Sequence, residues 1–220
     1  KKKKDDAWWK GRRVWIGLDL ALSEDNVSVN MGTYEGDDIE GCELYSKTFG
    51  FIPTEKIEIK SRREDVDYRK LIKEGSCFAC GDEVVSYSFI ENFILSLPDK
   101  YGVEIVQLGY DRWNAVSSAQ KIEKHGIECV EIKQHSSVLH SPSKLLKEKI
   151  LSKKYHYEEN LMLEINFQNA RCTENTNKDK YVNKKKSVGK VDQVIGNIFS
   201  TYLIEQEILY GMSNFGAQVI

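Results

Sequence analysis

Val14-Trp15-Ile16-Gly17-Leu18-Asp19-Leu20 is an apolar run carrying one carboxylate near its C-terminal end. Side chains alternate along a strand, so Val14, Ile16, Leu18 and Leu20 share one face while Trp15, Gly17 and Asp19 share the other. A carboxylate at the end of a buried strand is costly unless a positive charge neutralises it. Two more acids stand in comparable settings. Asp111 closes the apolar run that begins at Val103, and Asp192 lies early in the apolar stretch from Val188 to Leu203. Three such acids, from two strands and a helix, would make a magnesium or manganese site, because hard divalent cations take oxygen ligands.

Outward from this strand, β-rich runs are expected at 14–20, 27–34 and 42–50. The turn segments Gly36-Asp37-Asp38 and Glu40-Gly41 make the connection between the second and third a tight one, so antiparallel hairpins are expected. The polar segment 51–73 reads as a crossing loop with a short helix, and 75–85 as a small hairpin pivoting at Gly81-Asp82. Ser88 and Glu91 have capping-box spacing, and Ile90, Phe93, Ile94 and Leu97 form one apolar helical face, which Pro98 and Gly102 should end. The run 103–110 is almost continuously apolar, as a central parallel strand is. A helix over 114–125, a strand over 127–132 and a helix opening at Ser141-Pro142 follow. A β-prone or irregular stretch, a lysine-rich loop and a last helix over 190–208 complete the chain. The order βββ, then αβαβα, then a helix, predicts an α/β fold. Its mixed sheet has three antiparallel strands, then parallel strands, with helices on both faces.

The chain has 220 residues, 40% hydrophobic and 30% charged, enough for one cored domain under a charged surface. No stretch approaches the roughly 18–20 consecutive apolar residues of a membrane span. Formal charge is −2, so bulk charge does not announce a nucleic-acid partner. Distribution says more. Six lysines fall between Lys178 and Lys190 against one acid, Asp179, which reads either as a solvated loop or as a phosphate-binding segment. Five scattered cysteines do not make a disulfide framework. Cys77-Phe78-Ala79-Cys80 has zinc-knuckle spacing without a second pair, so reduced thiols are expected. Residues 1–10 read as an interdomain linker at the edge of a larger protein, 11–210 as the domain, and 211–220 as a tail.

Taken together these features resemble the nuclease domain of phage terminase large subunits, within the ribonuclease H-like superfamily. Gly17-Leu18-Asp19-Leu20-Ala21 followed by Asp25 is similar to the family's first-strand motif. Gly109-Tyr110-Asp111-Arg112-Trp113-Asn114-Ala115 is similar to its second acidic motif. Ser141-Pro142, the Asn169 region and Lys184-Lys185-Lys186 through Lys190-Val191-Asp192 resemble its closing third. Gly196 and Asn197 depart from the pattern, interrupting an otherwise regular helix. No G-x-x-x-x-G-K-[ST] loop occurs, so the ATPase half of a terminase is not expected in this chain.

The resemblance implies a metal-dependent DNA endonuclease in which Asp19, Asp111 and Asp192 are catalytic and bind Mg²⁺ or Mn²⁺, two ions in all, with Asp25 as an auxiliary acid. Lys184, Lys185, Lys186 and Lys190 would contact backbone phosphates. Double-stranded DNA is the implied substrate. An ATPase domain, a small terminase subunit and a portal are the partners in the full protein, in the cytoplasm of a phage host and with no membrane contact. Gln134 and Asn169 match family positions without an evident mechanism. Trp113 reads as packing under the site, and Trp8 and Trp9 as packing on a neighbouring domain. Plainer roles stay open: Asp19 as a turn cap, Asp111 as a helix N-cap, Asp192 as a first-turn acid. So do a noncatalytic docking or DNA-binding module and a resolvase- or transposase-like nuclease of the same fold.

Overall fold

The computed structural model describes residues 5–20 and 26–211, apart from the side chains of residues 113 and 114. The expectations placed on Asp25, on Trp113 and on the tail beyond 211 lie outside those residues. After a short helix, α1 (Asp6–Trp9), come β1 (Arg13–Asp19), β2 (Val27–Glu35) and β3 (Glu43–Ile52). Helices α2 (Ile57–Glu64) and α3 (Tyr68–Lys73), strand β4 (Cys77–Ala79) and helix α4 (Tyr87–Tyr101) follow. Then come β5 (Glu104–Tyr110), α5 (Arg112–Glu123), β6 (Glu128–Glu131) and α6 (Ser136–Leu151). The last third holds β7 (Tyr155–Tyr157), α7 (Leu161–Asn169), β8 (Cys172–Glu174), β9 (Lys180–Val182) and α8 (Asp192–Tyr210).

Seven strands form one sheet in the order β4-β3-β2-β1-β5-β6, with β7 beside the other end of β3. β1, β2 and β3 are antiparallel neighbours, while β5 and β6 run parallel to β1. This is the mixed sheet expected from the sequence. The two faces of β1 divide as its alternation dictates. Val14, Ile16, Leu18 and Leu20 join a core with Ile90, Ile94 and Leu97 of α4 and Ala115 and Ile122 of α5. Trp15 faces the opposite core, built with α6 and α8.

Several boundaries differ from the sequence reading, each for a local reason. The 75–85 segment is no hairpin: β4 adds in parallel to the end of β3, and Thr54 and Glu55 donate their backbone N–H groups to Gly81 and Asp82. α4 is capped by Ser86, not Ser88, through Phe89 N at 3.3 Å. Pro98 lies inside that helix, and Gly102, at φ 65°, ends it. α6 begins at Ser136, with His135 as its cap. Pro142 is interior and buried there, without an N–H for the intrahelical ladder, while Ser141 Oγ donates to Glu205 Oε1 on α8 at 2.5 Å. α7 forms in the stretch read as β-prone or irregular, opened by the Asn160 side chain, which accepts from Leu163 N. Trp9 packs in this domain's own core rather than on a neighbour, and its Nε1 donates to Glu158 Oε1 at 2.7 Å.

Between the sheet and α8 runs a seam of small and polar residues. Gly17, Asn30 and Thr48 lie in one cross-strand row, and Asp19, Ser28 and Gly50 in the next. Asn197 of α8 sits over them: its Oδ1 accepts from Ser46 Oγ and Tyr155 Oη, both at 2.7 Å, and its Nδ2 donates to Thr48 Oγ1 at 3.1 Å. A Cβ at Gly17 would lie 1.9 Å from the carbonyl oxygen of Gly196. The glycine that looked like a helix interruption therefore lets α8 touch β1 backbone to backbone.

Candidate metal centre and cleft

That close approach brings the first turn of α8 to the tip of β1. Asp19 and Asp192 are buried there, 3% and 6% exposed. The Lys184 ammonium reaches both, 2.6 Å from Asp19 Oδ2 and 3.4 Å from Asp192 Oδ1. Asp192 Oδ2 is buried with no hydrogen-bond partner among the described residues. The backbone N–H of Gln193 donates to Asn166 Oδ1 at 3.0 Å, so α7 secures the start of α8 and with it the position of Asp192. Asp111 follows β5, parallel to β1, and lines the same cleft. It occupies the N-cap position of α5, yet its side chain makes no capping hydrogen bond. Its Oδ2 accepts from Gln134 Nε2 at 2.9 Å, which supplies the mechanism for Gln134 that the sequence lacked.

The cleft encloses about 970 Å³. One wall is the segment between β9 and α8. Asn169 organises it, donating from Nδ2 to the Lys190 carbonyl at 3.1 Å and accepting from Val188 N through its own carbonyl. Lys185 lines the cleft and Lys186 is exposed beside it in sequence, whereas Lys184, its side chain 38% exposed, points its ammonium at the acids. The other wall is α2 with the start of α3, a site role the sequence reading missed. There Lys60, 1% exposed, donates to Glu64 Oε1 at 2.8 Å. Tyr68 Oη donates to Glu64 Oε2 at 2.6 Å and accepts from Asn26 Nδ2 at 2.7 Å. Burial works against the Glu64 carboxylate, but Lys60 and Tyr68 outweigh it and hold the group below its ordinary range. A lone Lys60–Glu64 spacing in a polar segment gives no warning of such a buried chain.

Electrostatically, burial is the main force raising the Asp19 pKa to about 6, with Asp192 and Asp111 adding to it and Lys184 opposing. Burial disfavours the Lys184 ammonium, but Asp19 and Asp192 prevail and push its pKa up. As they stand, no three His, Cys, Asp or Glu side chains among the described residues are grouped tightly enough to enclose a metal ion. Lys184 stands between two of the acids, and Gln134 holds the third. The donor set nonetheless fits a hard divalent cation. Two carboxylates already share one positive charge, and the second oxygen of one of them, Asp192 Oδ2, is buried with no partner among the described residues.

Solved structures with the same fold include the large terminase of bacteriophage HK97, 18% identical, with a TM-score of 0.77 over 89% of this chain. This chain spans 40% of that one. The SPP1 bacteriophage large terminase nuclease domain, solved with bound Mn, is 12% identical, with a TM-score of 0.53 over 89% of this chain and 87% of the other. The large terminase nuclease of thermophilic phage G20c is 13% identical, with a TM-score of 0.51 over 86% and 81%. No curated protein matches the chain. The model of one family, described as "Terminase large subunit, endonuclease domain", matches residues 4–205. With nearly the whole sequence matched and the fold shared, this chain belongs to the family of terminase large subunit endonuclease domains.

Proposed function

We infer that this chain is a divalent-metal-dependent endonuclease that cuts concatemeric viral DNA during packaging. The observation that carries the inference is one ammonium shared by two buried carboxylates, from β1 and α8, inside an open cleft of the family's fold. Asp19, Asp111 and Asp192 would hold Mg²⁺ or Mn²⁺. Two such ions, when bound, would activate water and stabilise the departing oxygen of the phosphodiester. The chain's own residues position these ligands: Gly17 and Gly196 set the approach of β1 to α8, Asn166 secures the α8 N-terminus, and Gln134 orients Asp111. Lys185 and Lys190, which line one wall, and the exposed Lys186 beside them would meet the phosphate backbone of duplex DNA without reading its sequence. In the full protein, an ATPase domain, a small terminase subunit and a portal would bring DNA to this cleft inside the host cell.

The test is plasmid nicking with Mn²⁺, Mg²⁺ or EDTA, beside Asp19→Asn and Asp192→Asn. Cutting should require the ion and fall by about 10³-fold or more in each variant while circular dichroism stays unchanged. Variants that cut as well as the parent would dismiss the acids. A parent that neither cuts nor takes up metal would be a docking module, and strong preference for branched over linear DNA would make it a resolvase-like enzyme.

A further inference from the structure

Lys184 stands where a cation belongs. It bridges Asp19 and Asp192, whose side chains are 5% and 9% exposed, although it comes from a surface turn. That turn is built to present it. Asn183 donates its backbone N–H to the Arg171 carbonyl, and its Oδ1 accepts from Lys185 N at 3.0 Å and Lys186 N at 3.3 Å. Ser187 closes the turn, donating from its N–H and its Oγ to the Asn183 carbonyl. All three consecutive lysines have exposed side chains, and this geometry sends only the Lys184 ammonium to the acids. A divalent ion bound between the same two carboxylate oxygens would meet the ammonium at contact distance, so the two cations exclude each other there.

We propose that Lys184 is the resident cation of this centre. It fills one of two cation positions, so the chain without DNA takes up a single divalent ion, for which Asp192 Oδ2, unpartnered among the described residues, remains available. The second ion enters only when Lys184 releases Asp19 and Asp192. A DNA phosphate in the cleft offers the ammonium another anion, and full metal loading is thereby coupled to substrate. Lys184 is a positioning residue in this scheme, and the scheme rests on the metal-centre reading above while adding the order of loading.

The experiment is a Mn²⁺ titration of the whole chain without DNA, read by calorimetry and by the electron paramagnetic resonance of free Mn²⁺. The parent, Lys184→Met, Lys184→Arg and Asp192→Asn are compared. One ion bound by the parent and by Lys184→Arg, but two by Lys184→Met, is the expected result. Two ions bound by the parent with the affinities of Lys184→Met would overturn the proposal and leave the metal centre standing. So would two ions bound by Lys184→Arg, which keeps the charge. Uptake by Asp192→Asn equal to the parent's, or no uptake by any form, would overturn the metal centre and the proposal together.

Discussion

The Asp19 carboxyl, held at about 6 against an ordinary 3.8, gives the site a pH signature. Below that value the group is protonated and is a poor ligand for a cation. Cleavage should therefore fall as pH drops through about 6, and the midpoint should move lower as Mn²⁺ rises, because metal and proton compete. A pH–rate profile at two Mn²⁺ concentrations checks both; a flat profile between pH 5 and 7 would contradict them. The sign for stability is opposite. The folded metal-free chain holds a proton on Asp19 that the unfolded chain has already released, so its stability falls as pH rises from about 4 to about 6. Denaturant unfolding in EDTA should show that fall in the parent and not in Asp19→Asn. The acids were legible in the sequence because a carboxylate ending an apolar strand demands a partner. The position of Lys184 between them was not: the sequence grouped it with Lys185, Lys186 and Lys190 as a phosphate contact, and only the turn around Asn183 distinguishes it.

The approach of β1 to α8 governs the site at the scale of elements. Gly17→Ala would drive a methyl group into the Gly196 carbonyl at 1.9 Å, so one element must move. The expected cost is about 3 kcal/mol or more, measurable by denaturant unfolding, with metal affinity falling as well. Stability within a few tenths of a kcal/mol of the parent would mean the two backbones are loosely apposed. β1, β5 and α4 were readable because burial imposes a local pattern on each: alternation in β1, a continuous apolar run in β5 and a helical period in α4. The three-residue strands β4, β7, β8 and β9 were not, since their existence depends on a distant partner rather than on local pattern. Pro142 misled for a related reason: a proline suited to a helix start was instead buried against the core in mid-helix.

Across the whole molecule, the cleft joins segments far apart in sequence, with α2–α3 on one wall and the turn around Lys184 to Lys190 on the other. Its basic rim should make DNA binding salt-dependent. Lys185→Gln with Lys186→Gln should reduce the slope of log affinity against log salt by about 2, near 0.9 for each phosphate no longer neutralised. An unchanged slope, measured by fluorescence anisotropy, would remove these two lysines from the interface. The fold class was legible from the order of elements, but no sequence pattern placed α2 opposite the lysines. The docking of α1 bears on the same geometry. Trp9 is fastened in the core and to Glu158 just ahead of β1, while Arg12 lies 3.5 Å over the ring of Trp8. Tension applied at α1 would load the Trp9 indole and the Glu158 carboxylate before it reached the strand tipped by Asp19. Like the strain relief on a cable, such an anchor would keep a pull on α1 from shifting the strand that carries Asp19.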